Sequence, residues 1–438
     1  MIPRTDVESR TSGRLDAVTW LTVYVCLLFF VPSRLIVAPL GSAGSPSMIF
    51  GLASLILWLV FCVGATRVVK PGVQPIRVAL CAFLFSVGLS YALAMSGPIN
   101  SDEISPADVA LLALASWSGT LLMAHDGVPN RARLDTLVWR ITLCGGVIAM
   151  LGIVQVITRQ VWVDRITMPG LNSADAAATF WRGAFLRPAA TAIHPIEFGV
   201  VVTMLLPLAL HVAFSQTWRN SVVRWIPALV LAAVIPMTSS RSAYVGVFVG
   251  MVICIVGWPA ARRRLMTAVG LVGIVAMSVV TPTLLKSIVG LFTGVSDDTS
   301  IASRTNSFDL ATEFVARNPL FGRGPGTFLP KYRIFDNQYL GLLVTVGLIG
   351  TILFIGLGIV TVVTVLRFRR NAANERSRDL AISLVASVAV GFVGLVMFDA
   401  FAFPMTMGTL FLLLGVSGAL RKLEGEAGGL SVSADLVR

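Results

Sequence analysis

Apolar stretches of about 20 residues, each long enough to cross a roughly 30 Å hydrocarbon core as a helix, recur twelve times between residues 17 and 420. Backbone polar groups have no water to bond in lipid, so unbroken runs of this length fold as helices that satisfy themselves internally. The remaining composition agrees: 56% of the 438 residues are hydrophobic and only 13% charged, against about 25% charged in a soluble domain. A soluble globule is excluded, and the expected fold is an all-α polytopic membrane protein of about twelve transmembrane helices in a single integral membrane domain, residues 1–438. Arg4, Arg10 and Arg14 precede the first stretch as in a secretory signal, but no A-x-A cleavage site follows, so it is read as a spanning helix.

The net charge of +12 suggests nucleic acid only until it is sorted by membrane side. Twelve spans place 22 of the 34 Lys and Arg on the side holding both termini, which the positive-inside rule makes cytoplasmic. No nucleic-acid partner is expected. The other 12 are Arg34, Arg241 and residues of two long loops, 158–193 and 286–337. Basic residues there oppose the insertion bias. They either meet an anionic ligand or pair with Asp164, Asp175, Asp297, Asp298, Asp309 and Glu313, and their grouping favours the ligand. Within 286–337 a surface helix is expected, capped by Ser303 or Thr305, with Phe308, Ala311 and Val315 on one face, Glu313 and Arg317 at i,i+4, and Asn318-Pro319 as its stop.

Several chemistries lack their residues. The five cysteines sit inside apolar segments without CxxC spacing, as packed thiols, and the three histidines do not cluster, so no metal and no cofactor is expected. No GxxxxGK[ST] is present. The first outer loop, 33–47, contains no acidic residue that would hold a metal for a metal-dependent lipid-linked transferase. Developing charge must then be met by cationic side chains.

Arg241 follows a link of about four residues, Met237-Thr238-Ser239-Ser240, which holds its guanidinium at the outer membrane surface. A planar fork of donors suits phosphate; the alternative is snorkelling to lipid headgroups. In the first long loop, Arg187 leads to His194-Pro195 and Glu197 at the start of a span. His194 and Glu197 share a helix face, either as a titratable pair or, preferred for Glu197, as a hydrogen-bonded helix start. The second long loop ends in Arg317-Asn-Pro-Leu-Phe-Gly-Arg323-Gly-Pro-Gly326, a fixed irregular turn, and then Asp336-Asn337-Gln-Tyr339. Asp336 is either a catalytic carboxylate or a helix N-cap.

The order of these elements carries a resemblance. "R…HP…G", "SSRSAYVG", "SRTNSFDLA…RNPLFGRGPGTF" and "DNQYLGLLVTVGLIG" look like the O-antigen ligase and polysaccharide polymerase superfamily of bacterial membrane glycosyltransferases, over about residues 183–360. The resemblance implies the metal-independent branch of the lipid-linked glycosyltransferase (GT-C type) folds. It also implies an undecaprenyl-diphosphate-linked saccharide donor and a glycan or lipid acceptor, among membrane lipids and other envelope polysaccharide assembly proteins. The site would lie on the outer face of the bacterial cytoplasmic membrane. It makes Arg187, Arg241 and Arg304 the diphosphate-binding arginines and Asp336 or His194 the catalytic base, with Asn337, Arg323 and Tyr339 positioning substrate. Ligases of the superfamily typically carry His where this chain has Asp336, and an acidic residue is common where it has Thr345, so a polymerase is favoured over a ligase. A flippase for lipid-linked saccharides is the alternative from another class, expected to line its core with charge from several helices.

Overall fold

The computed structural model describes residues 16–64, 74–173, 180–182, 185–280, 289 and 299–435. Thirteen α-helices occur among them. The first nine are α1 (Ala17–Phe30), α2 (Pro46–Val63), α3 (Pro75–Ser96), α4 (Ser101–Gly127), α5 (Arg131–Thr158), α6 (Pro195–Ser215), α7 (Ser221–Met237), α8 (Arg241–Gly257) and α9 (Ala260–Val280). After them come α10 (Thr299–Arg317), α11 (Gln338–Asn371), α12 (Glu375–Gly394) and α13 (Pro404–Asp435). Every helix but α10 coincides with one of the twelve apolar segments. Eight are long and apolar enough to cross a membrane, α1, α7 and α8 are shorter apolar helices, and α9 starts with Arg262, Arg263 and Arg264 before turning apolar.

Local chemistry sets many of the helix starts. Asp16, Ser45, Asn130, Asn220 and Asn374 each accept a backbone N–H of the first turn of α1, α2, α5, α7 and α12. Helices α6 and α13 lie at the centre of the bundle, 89% buried over their apolar windows against 22% for α2. The opposite face of α2 and much of α9 present bare Leu, Ile and Val, as lipid-facing helices do.

Consecutive spans alternate, so the bundle has two ends. One gathers the starts of α1, α3, α5, α7, α9 and α12 and is stitched by ion pairs: Arg133 with Asp16, Arg77 with Asp126, Arg376 with Asp135 and Arg262 with Asp379. The other gathers the starts of α2, α4, α6, α8, α11 and α13 and carries both long loops. There the strand β1 (Leu35–Ile36) pairs antiparallel with β2 (Asn172–Ser173), and β3 (Trp181–Arg182) pairs with β4 (Phe185–Leu186).

Two expectations change. The loop helix covers Thr299–Arg317 among the described residues, so Ser303 and Thr305 lie inside it and do not cap it; it does end at Arg317, with Arg317 and Glu313 paired at 2.6 Å. Its inward face carries Ala311, Phe314 and Val315 against Phe335, Leu340 and Val344, whereas Phe308 is exposed. All five cysteines are free, yet Cys81 is exposed rather than packed, since α3 turns one side outward.

Candidate functional site

The sequence elements "R…HP…G" and "SSRSA" meet in space. Arg187 donates from Nε to the carbonyl of Thr238 at 3.2 Å, which sets its guanidinium against the turn that opens into Arg241. Gly199, one turn into α6, faces the same turn: a Cβ there would lie 3.1 Å from the Ala243 Cβ and 3.6 Å from the Ser240 Cβ. Glycine therefore lets α6 approach the start of α8. Within the turn Ser239 takes a left-handed backbone (φ 47), a conformation a non-glycine residue holds only where its surroundings over-determine it. The hydroxyls of Ser240 and Ser242 bond at 2.7 Å, and the turn is buried from Thr238 to Ser240. The arginine-bearing edge is thus a buried, hydrogen-bonded turn.

The stretch from Arg187 to His194 is equally fixed. The Gln155 side chain bonds both backbone groups of Ala190, at 2.9 and 3.1 Å, and Thr191 donates to the Phe29 carbonyl. His194 caps α6: its Nδ1 accepts the Ile196 N–H at 3.1 Å, so the ring is neutral with its proton on Nε2. Burial first, and then the nearby Arg187 charge, hold its pKa down to about 4. With Nδ1 so engaged, the ring offers a donor at Nε2 and no free acceptor. Glu197 is fully buried and is a helix-start clamp. One oxygen accepts from Ile193 N at 2.9 Å and the other from Met405 N at 2.8 Å, tying the starts of α6 and α13 together.

The glycine-rich turn after α10 repairs a break in a membrane helix. At Gly347 the backbone of α11 leaves the helix (φ 70, ψ −171), and residues 319–324 lie alongside the gap. Arg323 N bonds Val344 O, Gly324 N bonds Thr345 O, and Leu348 N bonds Pro319 O, at 2.7 to 2.9 Å. Ser90 of α3 donates to the Phe321 carbonyl at 2.6 Å. Groups freed by the break thus find partners, as non-helical backbone at this depth requires. Added Cβ atoms at Gly322 or Gly347 would collide with each other's segment.

This arrangement fixes the first half of α11, which lines a cavity of about 520 Å³ with α2, α4 and the turn before α13. Its polar lining includes Arg34, Arg333, Asn337 and Asp399; on α4, Val109, Ala113 and Trp117 carry it inward. Asn337, not Asp336, is the cap of α11, accepting the Tyr339 N–H at 3.0 Å. The helix-cap reading of Asp336 is therefore wrong by one residue. Asp399 is the carboxylate that sequence reasoning missed. Burial, and then the charge of Asp336, push its pKa up to about 6. Asp399 lines the cavity and Asp336 does not, but the charge of Asp336, from the chain just before α11, reaches it. The signal was present in Phe398-Asp399-Ala-Phe-Ala-Phe403, a lone acid in an aromatic turn between two spans.

Two expected positioning residues serve the fold instead. Arg323 bonds the buried Glu103 at 2.6 Å, with Tyr332 and Asn100 on the same carboxylate oxygen; this anchors the second long loop to the start of α4. The Tyr339 hydroxyl donates to the Phe392 carbonyl at 2.7 Å, because its place in the first turn of α11 points it at α12. Arg304 falls in α10, and its side chain lies outside the described residues. Among the described residues no three His, Cys, Asp or Glu group together as metal ligands.

One end of the helix bundle thus brings together Arg187, His194, the turn that opens into Arg241 and a carboxylate-bearing cavity. Residues 226–355, from α7 into the first half of α11, match the O-antigen ligase family, which bears out the resemblance to the O-antigen ligase and polymerase superfamily and its glycosyltransferase activity in general. None of the curated proteins matches the chain.

Proposed function

We propose that the protein transfers a saccharide from undecaprenyl diphosphate to an acceptor hydroxyl at the outer face of the bacterial cytoplasmic membrane, with inversion and without a metal, and that it is a polymerase. The observation that supports this reading is the meeting of Arg187 and His194 with the turn that opens into Arg241, at the end of the bundle that also holds the Asp399 cavity. The acceptor oxygen attacks the anomeric carbon while the bond to the lipid diphosphate breaks, its electron pair leaving with the diphosphate. Arg187 and Arg241, with Arg304 of α10, stabilise that charge, and fixed cations are effective because they need no reorganisation. The acceptor proton passes to the Asp336–Asp399 pair, whose member lining the cavity is displaced toward neutral pH, where a general base works best. Asn337 lines the same cavity and offers its amide to the acceptor. Arg323 and Tyr339 act through the loop and helix they anchor.

A polymerase is favoured over a ligase by Asp336, where related ligases typically carry His. A transporter is disfavoured by where charge is buried. Among the described residues Glu103, Asp126, Asp135 and Glu197 all lie within two turns of a helix end, not along the core. The test is conversion of defined undecaprenyl diphosphate oligosaccharides by purified protein. A ladder of chain lengths is expected; a single block added to a foreign acceptor would make it a ligase, and lipid movement across proteoliposomes without new glycosidic bonds would overturn the reading.

A further inference from the structure

Beside the 520 Å³ cavity lies a smaller one of about 200 Å³, and among the described residues the only ionisable side chain lining both is Arg34, in the loop between α1 and α2. Its guanidinium is nearly enclosed, the side chain being 12% exposed. Nη1 pairs with Asp164 at 2.9 Å and Nη2 donates to the Val163 carbonyl at 2.8 Å. Its Nε–H is buried and meets no acceptor among the described residues. Arg224, Arg369 and Arg376 also carry a buried Nε–H without an acceptor among the described residues, but none of them lines either cavity; on Arg34 the unmade donor of a charged group adjoins open space that a ligand could fill.

The smaller cavity has the matching chemistry. His194 lines it, with its proton on Nε2 because Nδ1 accepts from Ile196, and the Arg187 charge reaches that ring. Asp164, the one carboxylate among the lining residues, is already committed to Arg34. We propose that this cavity receives an oxyanion of phosphate type from the substrate, with Arg34 a binding residue additional to Arg187 and Arg241. This rests on the reading above that the donor is a diphosphate. Standing in the wall between the cavities, Arg34 then holds the leaving group beside the space for the acceptor. The rival role is a clamp that ties the α1–α2 loop to the 158–193 loop next to the β1–β2 pair.

Binding of inorganic pyrophosphate to the purified full chain, read from its saturable rise in unfolding temperature, separates the two. Arg34→Gln is expected to weaken apparent binding about tenfold to a hundredfold, the loss of one charge-assisted contact. Asp164→Asn keeps an acceptor for Arg34 and removes a negative charge, so it should bind as tightly as the wild type or more so. Arg34→Lys, which pairs with Asp164 but has no Nε–H, should also bind weakly and serves if Arg34→Gln does not fold. Wild-type affinity in the Arg34 variants, with Arg34→Gln and Asp164→Asn equally destabilised, would establish the clamp and overturn the inference, as would absence of protection in the wild type. Saccharide transfer is assayed separately: turnover without an Arg34 effect on pyrophosphate defeats this inference alone, and pyrophosphate binding without turnover defeats only the transferase reading.

Discussion

Replacing Asp399 by Asn should slow turnover sharply and stabilise the fold together. In the folded protein its carboxyl titrates near 6 instead of its ordinary 3.8. Above pH 6 the ionised form is therefore held at a cost, and at about 1.4 kcal/mol per pH unit that cost reaches about 3 kcal/mol. The raised value means the cost is absent below the unfolded-state value near 3.8, grows as pH rises, and is complete above 6. Asn keeps the shape without the charge, so Asp399→Asn should unfold at a higher temperature at pH 7.5 and show little difference at pH 3.5. Activity should move the other way, by the roughly 10² to 10⁴ that a general base contributes. In the wild type, kcat/KM should rise with pH through about 6. Asp336→Asn, by removing the charge that helps raise Asp399, should shift that rise to lower pH. The assay is a pH–rate profile on a defined lipid-linked oligosaccharide beside thermal unfolding of the same preparations. A profile flat from pH 5 to 7, or near-wild-type turnover in Asp399→Asn, would refute the base assignment.

Other outcomes follow from the same geometry. Arg241→Lys should be nearly as damaging as Arg241→Ala, each slowing transfer by roughly one to two orders of magnitude through loss of a contact of about 1.5 to 3 kcal/mol; normal activity in Arg241→Ala at equal abundance would make it a headgroup anchor. Gly347→Ala should cost about 1 to 3 kcal/mol from the left-handed backbone alone, read as a lowered unfolding temperature and faster proteolysis within 319–326. In a cysteine-free background, an impermeant thiol reagent applied to intact cells should label a cysteine at Leu320 and spare one at Asn371, both exposed positions; the opposite pattern would invert the orientation and move the site to the cytoplasm.

Hydropathy was enough to locate twelve apolar helices, eight of them long and apolar enough to cross a membrane, because lipid enforces one backbone solution over about 20 residues. Motif order sufficed for the Arg187, His194 and Arg241 edge, whose parts are local turns fastened to helix ends. Legibility failed where a side chain's partner lies far along the chain. Arg323 reads as a substrate ligand until Glu103, 220 residues earlier, is seen beneath it, and Tyr339 until its hydroxyl is found on Phe392. Asp399 failed for a related reason: its displaced titration is created by burial and by Asp336, 63 positions away, and neither is local. The cap was misplaced by one residue because Asp and Asn are near-equal caps, and sequence alone does not choose between neighbours.

The repair of α11 at Gly347 joins loop to helix almost wholly through main-chain groups, and a main-chain joint does not depend on which side chains decorate it. Residues 319–324 are held by their peptide groups, while the part of the loop that lines the large cavity, from Gly326 to Phe335, lies beyond the joint. The seam and the cavity wall are in this sense separable inheritances. Natural variation, or a designed graft from a relative, can rewrite the wall and with it the acceptor admitted, while the glycines at 322 and 347 keep the broken helix mended.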